Sequence, residues 1–139
     1  MKRAEKYPNT STFTFYNANP KGKYTSDCVA RALSTALNIP YNNVVLDLAH
    51  LQCSTGYDKG DVKLYEIYLK SKGYEKHKQP RKEDNTKYTG VEFCQVLADK
   101  GKKYVVHIGG NHIAAIINGK VFDTWNSTDG CIGNYWVIE

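Results

Sequence analysis

TSDCVARAL, at residues 25–33, combines polar residues that can cap a helix with an apolar pattern behind them. It predicts the first turn of a helix, because Ser26 or Asp27 can cap the free backbone N–H groups with a side-chain oxygen. The apolar residues behind it recur at helical spacing, so we expect one buried helix face, made of Val29, Ala32, Leu33, Ala36 and Leu37. This pattern places Cys28 in the first turn of a packed helix.

Cys28 would then lie at the positive end of the helix dipole, among unpaired N–H groups. Such a position lowers the pKa of a thiol from its usual value of about 8.5. A lowered pKa favours the thiolate, which is the form of cysteine that acts as a nucleophile. The alternative is that Cys28 is only a small apolar residue packed at a helix start.

Composition predicts one domain over residues 1–139, since 41% apolar and 24% charged residues are ordinary for a globular chain of this length. No run is long and apolar enough to span a membrane, and no apolar segment follows the basic N-terminus as a secretory signal would require. The four cysteines form no C-x-x-C pair, so we expect reduced thiols in the cytoplasm. The net charge of +5 is concentrated around residues 70–82, where a solvated loop is a better interpretation than a nucleic-acid site.

Periodicity predicts an α+β fold in which helices precede an antiparallel sheet. A short strand at residues 12–16 comes first, and helices follow at 28–38, 41–52, 61–73 and 89–101, with 74–88 as a polar connection. Four strands are expected after that, at 104–108, 113–117, 121–125 and 135–138. The second and third of these four are joined by Asn118-Gly119, the strongest short signal for a β-hairpin.

The hairpin turn fixes which residues face each other. If Ile117 pairs with Lys120, then His112 and Asp123 are diagonal neighbours on one face of the two strands. The aspartate could accept a hydrogen bond from one imidazole nitrogen and leave the other nitrogen facing a nucleophile. A histidine at the start of a strand is often structural, but an aspartate within an apolar strand loses hydration and needs partners.

Several other residues invite a functional interpretation. Trp125 and Asn111 are expected to line a cleft beside the pair, although Trp125 could equally be core packing. His107 is the second candidate for the base, and Arg31 is more simply a salt-bridge or solvated residue than a ligand for an acidic substrate. His50 and Cys53, together with Cys94, would be needed for a zinc site, but their spacing supplies no second close pair of ligands, so we expect no metal and no cofactor.

The ordered set DCVARA at 27–32, NHIAAI at 111–116 and VFDTW at 121–125 resembles the papain-like cysteine peptidase superfamily. It is most similar to small single-domain versions from phages and bacteria, which share a minimal core with NlpC-type amidases and bacteriocin-leader peptidases. The resemblance implies Cys28 as nucleophile, His112 as general base and acid, and Asp123 as the residue that orients the histidine. Papain-type members place a glutamine six residues before the cysteine, where this chain has Gly22. Asn19 and Asn17 are the nearest amides that could replace it in an oxyanion hole.

We therefore expect a thiol hydrolase that cleaves an amide or isopeptide bond in a peptide or protein substrate, without nucleic-acid or membrane partners. A catalytically silent binding or inhibitory module of phage origin is one alternative. A thiol acyltransferase, which would use the same three residues and differ in the acceptor, is the other. The sequence leaves the substrate and the oligomeric state open.

Overall fold

The structure, a computed structural model, describes residues 1–138 and has an α+β fold, as the sequence predicts. Within those residues, the helices are α1 (Arg3–Lys6), α2 (Cys28–Leu37), α3 (Tyr41–Thr55), α4 (Val62–Ser71) and α5 (Gly90–Glu92), and a π-helical segment follows at Phe93–Leu97. The strands of the same range are β1 (Phe13–Phe15), β2 (Lys76–His77), β3 (Lys103–Ile108), β4 (His112–Ile117), β5 (Lys120–Asp123) and β6 (Ile132–Ile138). All six belong to one sheet, in the order β1-β5-β4-β3-β6-β2.

Both faces of the sheet are covered, which explains why β3 and β4 are apolar almost throughout. Alternate residues such as Val105 and Ala115 pack against α2, α3 and α4. Their neighbours, such as Val106 and Ala114, point to the opposite face, where Phe13 and Phe93 complete a second apolar cluster. The helix α2 packs mainly on β4, so its first residue lies close to the start of that strand.

The hairpin between β4 and β5 has the predicted register. Ile117 pairs with Lys120, and Ala115 pairs with Phe122. Asn118 and Gly119 both adopt positive φ, at 54° and 70°, which a two-residue turn of this kind requires. The turn chemistry therefore decides which residues of β5 share a face with the beginning of β4.

Three elements differ from the expectation: strand β1, strand β2 and helix α1. The sheet is mixed rather than wholly antiparallel, because β1 runs parallel to β5 with Phe13 opposite Val121. The two-residue strand β2 pairs with β6 inside the segment that was expected to be an irregular connection. The one-turn helix α1 lies in the N-terminal segment, where no helix was expected.

The helices depart from the prediction mainly at their ends. Helix α2 ends at Leu37, with Asn38 in the left-handed conformation, close to the expected stop. Helix α3 continues to Thr55, three residues beyond the predicted end. The fourth predicted helix is shorter than expected, because α5 passes into the π-helical segment at Phe93 and the backbone is extended at Ala98.

Within residues 1–138, no helix combines the length and the hydropathy needed to cross a bilayer.

Candidate active site

The first turn of α2 lies against the start of β4 and the end of β5, and this junction brings together the residues singled out in the sequence. Cys28 is the first residue of α2, and its side chain is half-buried. Its backbone N–H makes no hydrogen bond with any described residue, as expected at a helix N-terminus. This N–H can therefore act as a donor to a bound group beside the sulfur.

His112 connects the other two members. The Nε2–H of its imidazole donates a hydrogen bond to Oδ2 of Asp123, which leaves Nδ1 for a second partner. Cys28 lines the same cavity as His112, and the charge on the imidazole influences the thiol. Trp125 packs on the imidazole, with the two ring centroids 4.9 Å apart. The ring of His112 is thus held by an acid and an aromatic side chain, in the cavity that Cys28 also lines.

These contacts shift the pKa of both reactive groups. Burial alone would raise the pKa of the Cys28 thiol, but the His112 side chain, the Ile113 backbone and the Arg31 charge outweigh it and lower that pKa below its ordinary value. Burial alone would lower the pKa of His112, but Asp123 and Cys28 raise it to about 9. Since the two shifts move in opposite directions, a thiolate–imidazolium pair is favoured over the neutral pair near neutral pH.

Asp123 is fixed from two further directions. It is 2% exposed, and its Oδ1 accepts hydrogen bonds from the Arg31 guanidinium at 2.7 Å and from the backbone N–H of Thr124 at 2.7 Å. Burial tends to raise the pKa of this carboxyl group, but His112 and Arg31 together hold it below its ordinary value. Asp123 therefore stays ionised, and its bond to Nε2 fixes the orientation of the His112 ring.

Arg31 extends the network back along α2. Its Nε donates to Oδ1 of Asp27 at 2.8 Å, so one buried guanidinium joins two buried carboxylates. The other oxygen of Asp27 accepts from the Tyr41 hydroxyl at 2.7 Å and from the Asn19 amide at 3.2 Å. The expectation that Ser26 or Asp27 caps α2 with a side-chain oxygen is wrong, because Asp27 occupies the N-cap position but no described side chain bonds to a free N–H of the helix, and the Asp27 carboxylate serves these partners instead.

The two asparagines proposed for the oxyanion hole do not reach the sulfur. The amide of Asn19 is engaged by Asp27 and Tyr41, and the amide of Asn17 donates to the carbonyl of Lys23 at 3.0 Å. Neither residue lines the cavities that adjoin Cys28. Besides the free N–H of Cys28, Ser26 lines both cavities, and its hydroxyl is a candidate side-chain donor that the sequence reasoning missed.

Two recesses meet at Cys28. The first, of about 310 Å³, has an apolar floor that includes Ala30, Leu48 and Tyr65, with Asn111 at its edge. The second, of about 410 Å³, is more polar and contains His112 and Trp125. Trp125 and Asn111 therefore both lie beside the candidate site, in different recesses that share Cys28.

The other candidates lie outside this arrangement. His107 lines the apolar recess, where burial and the charge of His112 lower its pKa, and it makes no ion pair with a described carboxylate. Cys53 and Cys131 are exposed, whereas burial raises the pKa of Cys94 to about 12. In the described part of the chain, no three histidine, cysteine or acidic side chains are grouped as metal ligands, so His50, Cys53 and Cys94 do not assemble a zinc site.

No protein-family model, curated protein or solved structure matches the chain. The chemistry must therefore be inferred from the site itself. A thiol of lowered pKa, an imidazole that can hold a proton, an ionised carboxylate and a free N–H at a helix start are the groups required for attack on a carbonyl carbon.

Proposed function

We propose that the chain is a small papain-like thiol hydrolase that cleaves an amide or isopeptide bond in a peptide or protein substrate. The observation that supports this most is that one imidazole, His112, is bonded to the carboxylate of Asp123 and lines the same recess as the thiol of Cys28. Structural histidines rarely combine an acid on one nitrogen with a half-buried thiol of lowered pKa near the other.

In the proposed reaction, the Cys28 thiolate attacks the carbonyl carbon of the substrate and forms a tetrahedral oxyanion. The backbone N–H of Cys28 donates to this oxyanion, and the hydroxyl of Ser26, which lines both recesses with Cys28, supplies a second donor. The N-terminal end of α2 adds a partial positive charge at the same place.

His112 then acts as the general acid. Its imidazolium proton passes to the leaving amine, the C–N bond breaks, and the thioester of Cys28 remains. Water, deprotonated by the now neutral His112, attacks the thioester and releases the carboxylic acid, which returns the thiolate and the imidazolium. Asp123 and, behind it, Arg31 keep the ring in the orientation that both proton transfers need.

A catalytic thiol must stay reduced, and the four cysteines are all free. We accordingly infer that the protein acts in a reducing compartment such as the cytoplasm.

The experiment compares the wild type with Cys28→Ala and with the control Cys53→Ala, since Cys53 is exposed on α3 away from the site. A mixture of peptides of known sequence is incubated with each protein, and new termini are found by mass spectrometry. We expect cleavage by the wild type and by Cys53→Ala, and none by Cys28→Ala. Cleavage by Cys28→Ala at the wild-type rate would show that Cys28 is not the nucleophile.

Iodoacetamide at mildly acidic pH provides a test that needs no substrate. Cys28 should be alkylated well before Cys53 and Cys131, although those two are more exposed, because the pKa of the Cys28 thiol is lowered and the thiolate is the reactive form. If Cys28 is labelled last or together with the others, the site is silent and the hydrolase proposal is wrong. If a product forms only when an amine is added, the acyl group is being transferred rather than hydrolysed.

A further inference from the structure

The two recesses that meet at Cys28 differ in their charge. The apolar recess has one cation, Lys59, among its lining residues, in the loop before α4. The polar recess contains Arg3, Arg31 and His112, and no aspartate or glutamate among residues 1–138 lines it. A substrate segment that crosses the sulfur would therefore meet a largely apolar wall on one side and positive charge on the other.

The three cations of the polar recess are not equally available. Arg31 is engaged by Asp27 and Asp123, and His112 is engaged by Asp123. Arg3 makes no ion pair with any described carboxylate. The guanidinium of Arg3 is thus the one whose charge is left for a ligand among the described lining residues.

Arg3 is nevertheless held in place. Its Nε–H donates to the backbone carbonyl of Thr124 at 2.7 Å, one residue after Asp123. Its guanidinium carbon lies 4.9 Å from the ring centroid of Tyr24, which supports it from the side. These contacts use one of its five N–H donors and leave the two terminal NH₂ groups, which have the fork geometry that matches a carboxylate.

We propose that Arg3 makes the polar recess a carboxylate-binding subsite, so that the preferred substrate carries a carboxylate on the Trp125 side of the bond that is cleaved. This inference rests on the proposed hydrolase function and specifies its substrate class. The carboxylate is either the C-terminus of a peptide or an acidic side chain next to the cleaved bond. A pre-positioned arginine binds either group by the same two hydrogen bonds.

The test uses two alkylating reagents that differ in charge, iodoacetate and iodoacetamide, and follows the labelling rate of Cys28 by mass spectrometry. Arg3→Gln should lower the iodoacetate rate by about tenfold, the effect of one charge-assisted hydrogen bond, and leave the iodoacetamide rate unchanged. Arg3→Lys, which keeps the charge and loses the fork, should fall between the two. Lys6→Gln removes an exposed charge from the same helix, outside the recess, and is the matched control, for which we expect the wild-type ratio.

The alternative is that Arg3 only fastens the N-terminal segment to Thr124. In that case Arg3→Gln would change both rates by the same factor, or neither, and the proposal would be overturned. The ratio of the iodoacetate and iodoacetamide rates can be measured even if Cys28 is alkylated slowly. If Cys28 is labelled no faster than the exposed cysteines but its iodoacetate-to-iodoacetamide rate ratio depends on Arg3, the hydrolase proposal is wrong and the subsite stands. If Cys28 is labelled first but the rate ratio does not change in Arg3→Gln, the subsite proposal is wrong and the hydrolase proposal stands.

Peptides then identify the source of the carboxylate. Three versions of one cleaved peptide are compared, with a free C-terminus, with a C-terminal amide, and with glutamine in place of the glutamate nearest the cleaved bond. The modification that raises KM in the wild type, relative to the peptide with the free C-terminus and the glutamate, and that causes no further rise in Arg3→Gln identifies the carboxylate that Arg3 binds. Equal KM values for all three versions would contradict the subsite.

Discussion

Replacing Arg31 with glutamine removes the one cation that lies between two buried carboxylates. The Arg31 side chain is 10% exposed, and those of Asp27 and Asp123 are 8% and 2% exposed. Loss of one member of a buried ion pair typically costs about 3–5 kcal/mol, because the remaining charge is left without compensation. Asp27 keeps Tyr41 and Asn19, and Asp123 keeps His112, so we expect the lower end, about 3 kcal/mol.

A domain of this size has a total stability of about 5–15 kcal/mol, so Arg31→Gln should still fold. The assay is urea denaturation followed by circular dichroism at neutral pH, where the midpoint should fall and the slope should stay the same. The exposed pair Lys76–Glu66, with N and O 3.0 Å apart, supplies the control: Lys76→Gln should cost less than about 1 kcal/mol.

Acid should reduce the effect of Arg31→Gln. In the wild type both carboxyl groups have lowered pKa values, so the stability they contribute is present above the unfolded pKa and is lost as pH falls through the folded pKa. The difference between wild type and Arg31→Gln should accordingly shrink as pH falls below about 4. A cost below about 1 kcal/mol at neutral pH, no larger than that of the surface pair, would refute the buried network.

Two further predictions concern packing and pH. Gly90→Ala should destabilise the fold by about 1–3 kcal/mol, since its Cβ would lie 2.8 Å from the backbone of Thr128, whereas Gly60→Ala, with open space around it, should change the urea midpoint little. The rate of hydrolysis should fall as pH rises through about 9, where His112 loses the proton it gives to the leaving group. The stability that the imidazolium contributes, measured relative to His112→Gln, should be fully present below about pH 6.5 and be lost as pH rises through about 9. A rate that is flat through pH 9, measured on one peptide, would contradict the assignment of His112.

The parts of the fold that could be predicted are those decided by short stretches of chain. Helix α2 follows from its apolar spacing and from Pro40, which disfavours helical geometry in the residue before it. The register of the β4–β5 hairpin follows from Asn118-Gly119, and that register is what puts His112 beside Asp123. Local turn chemistry was thus sufficient to find the histidine–aspartate pair.

The features that were missed depend on partners far away in the chain. Arg31 and Asp123 are separated by 92 residues, so nothing near either one indicates their bond. The parallel pairing of β1 with β5 involves a strand of three residues, too short to specify its partner. Asp27 has the spacing of both a helix cap and a partner for Arg31, and burial of the guanidinium decides in favour of the ion pair.

Titration of Cys28 is the most direct test of the proposed site, because attack on a carbonyl carbon requires a thiol that the neighbouring imidazole ionises. Thiolate absorbance is measured against pH, and the difference between the wild type and Cys28→Ser gives the titration of this residue alone. We predict a midpoint well below the value of about 8.5 for a free thiol, and a rise of that midpoint in His112→Ala. A midpoint at or above about 8.5 in the wild type, unchanged by His112→Ala, would show that His112 does not activate the Cys28 thiol and that the proposed nucleophile is wrong.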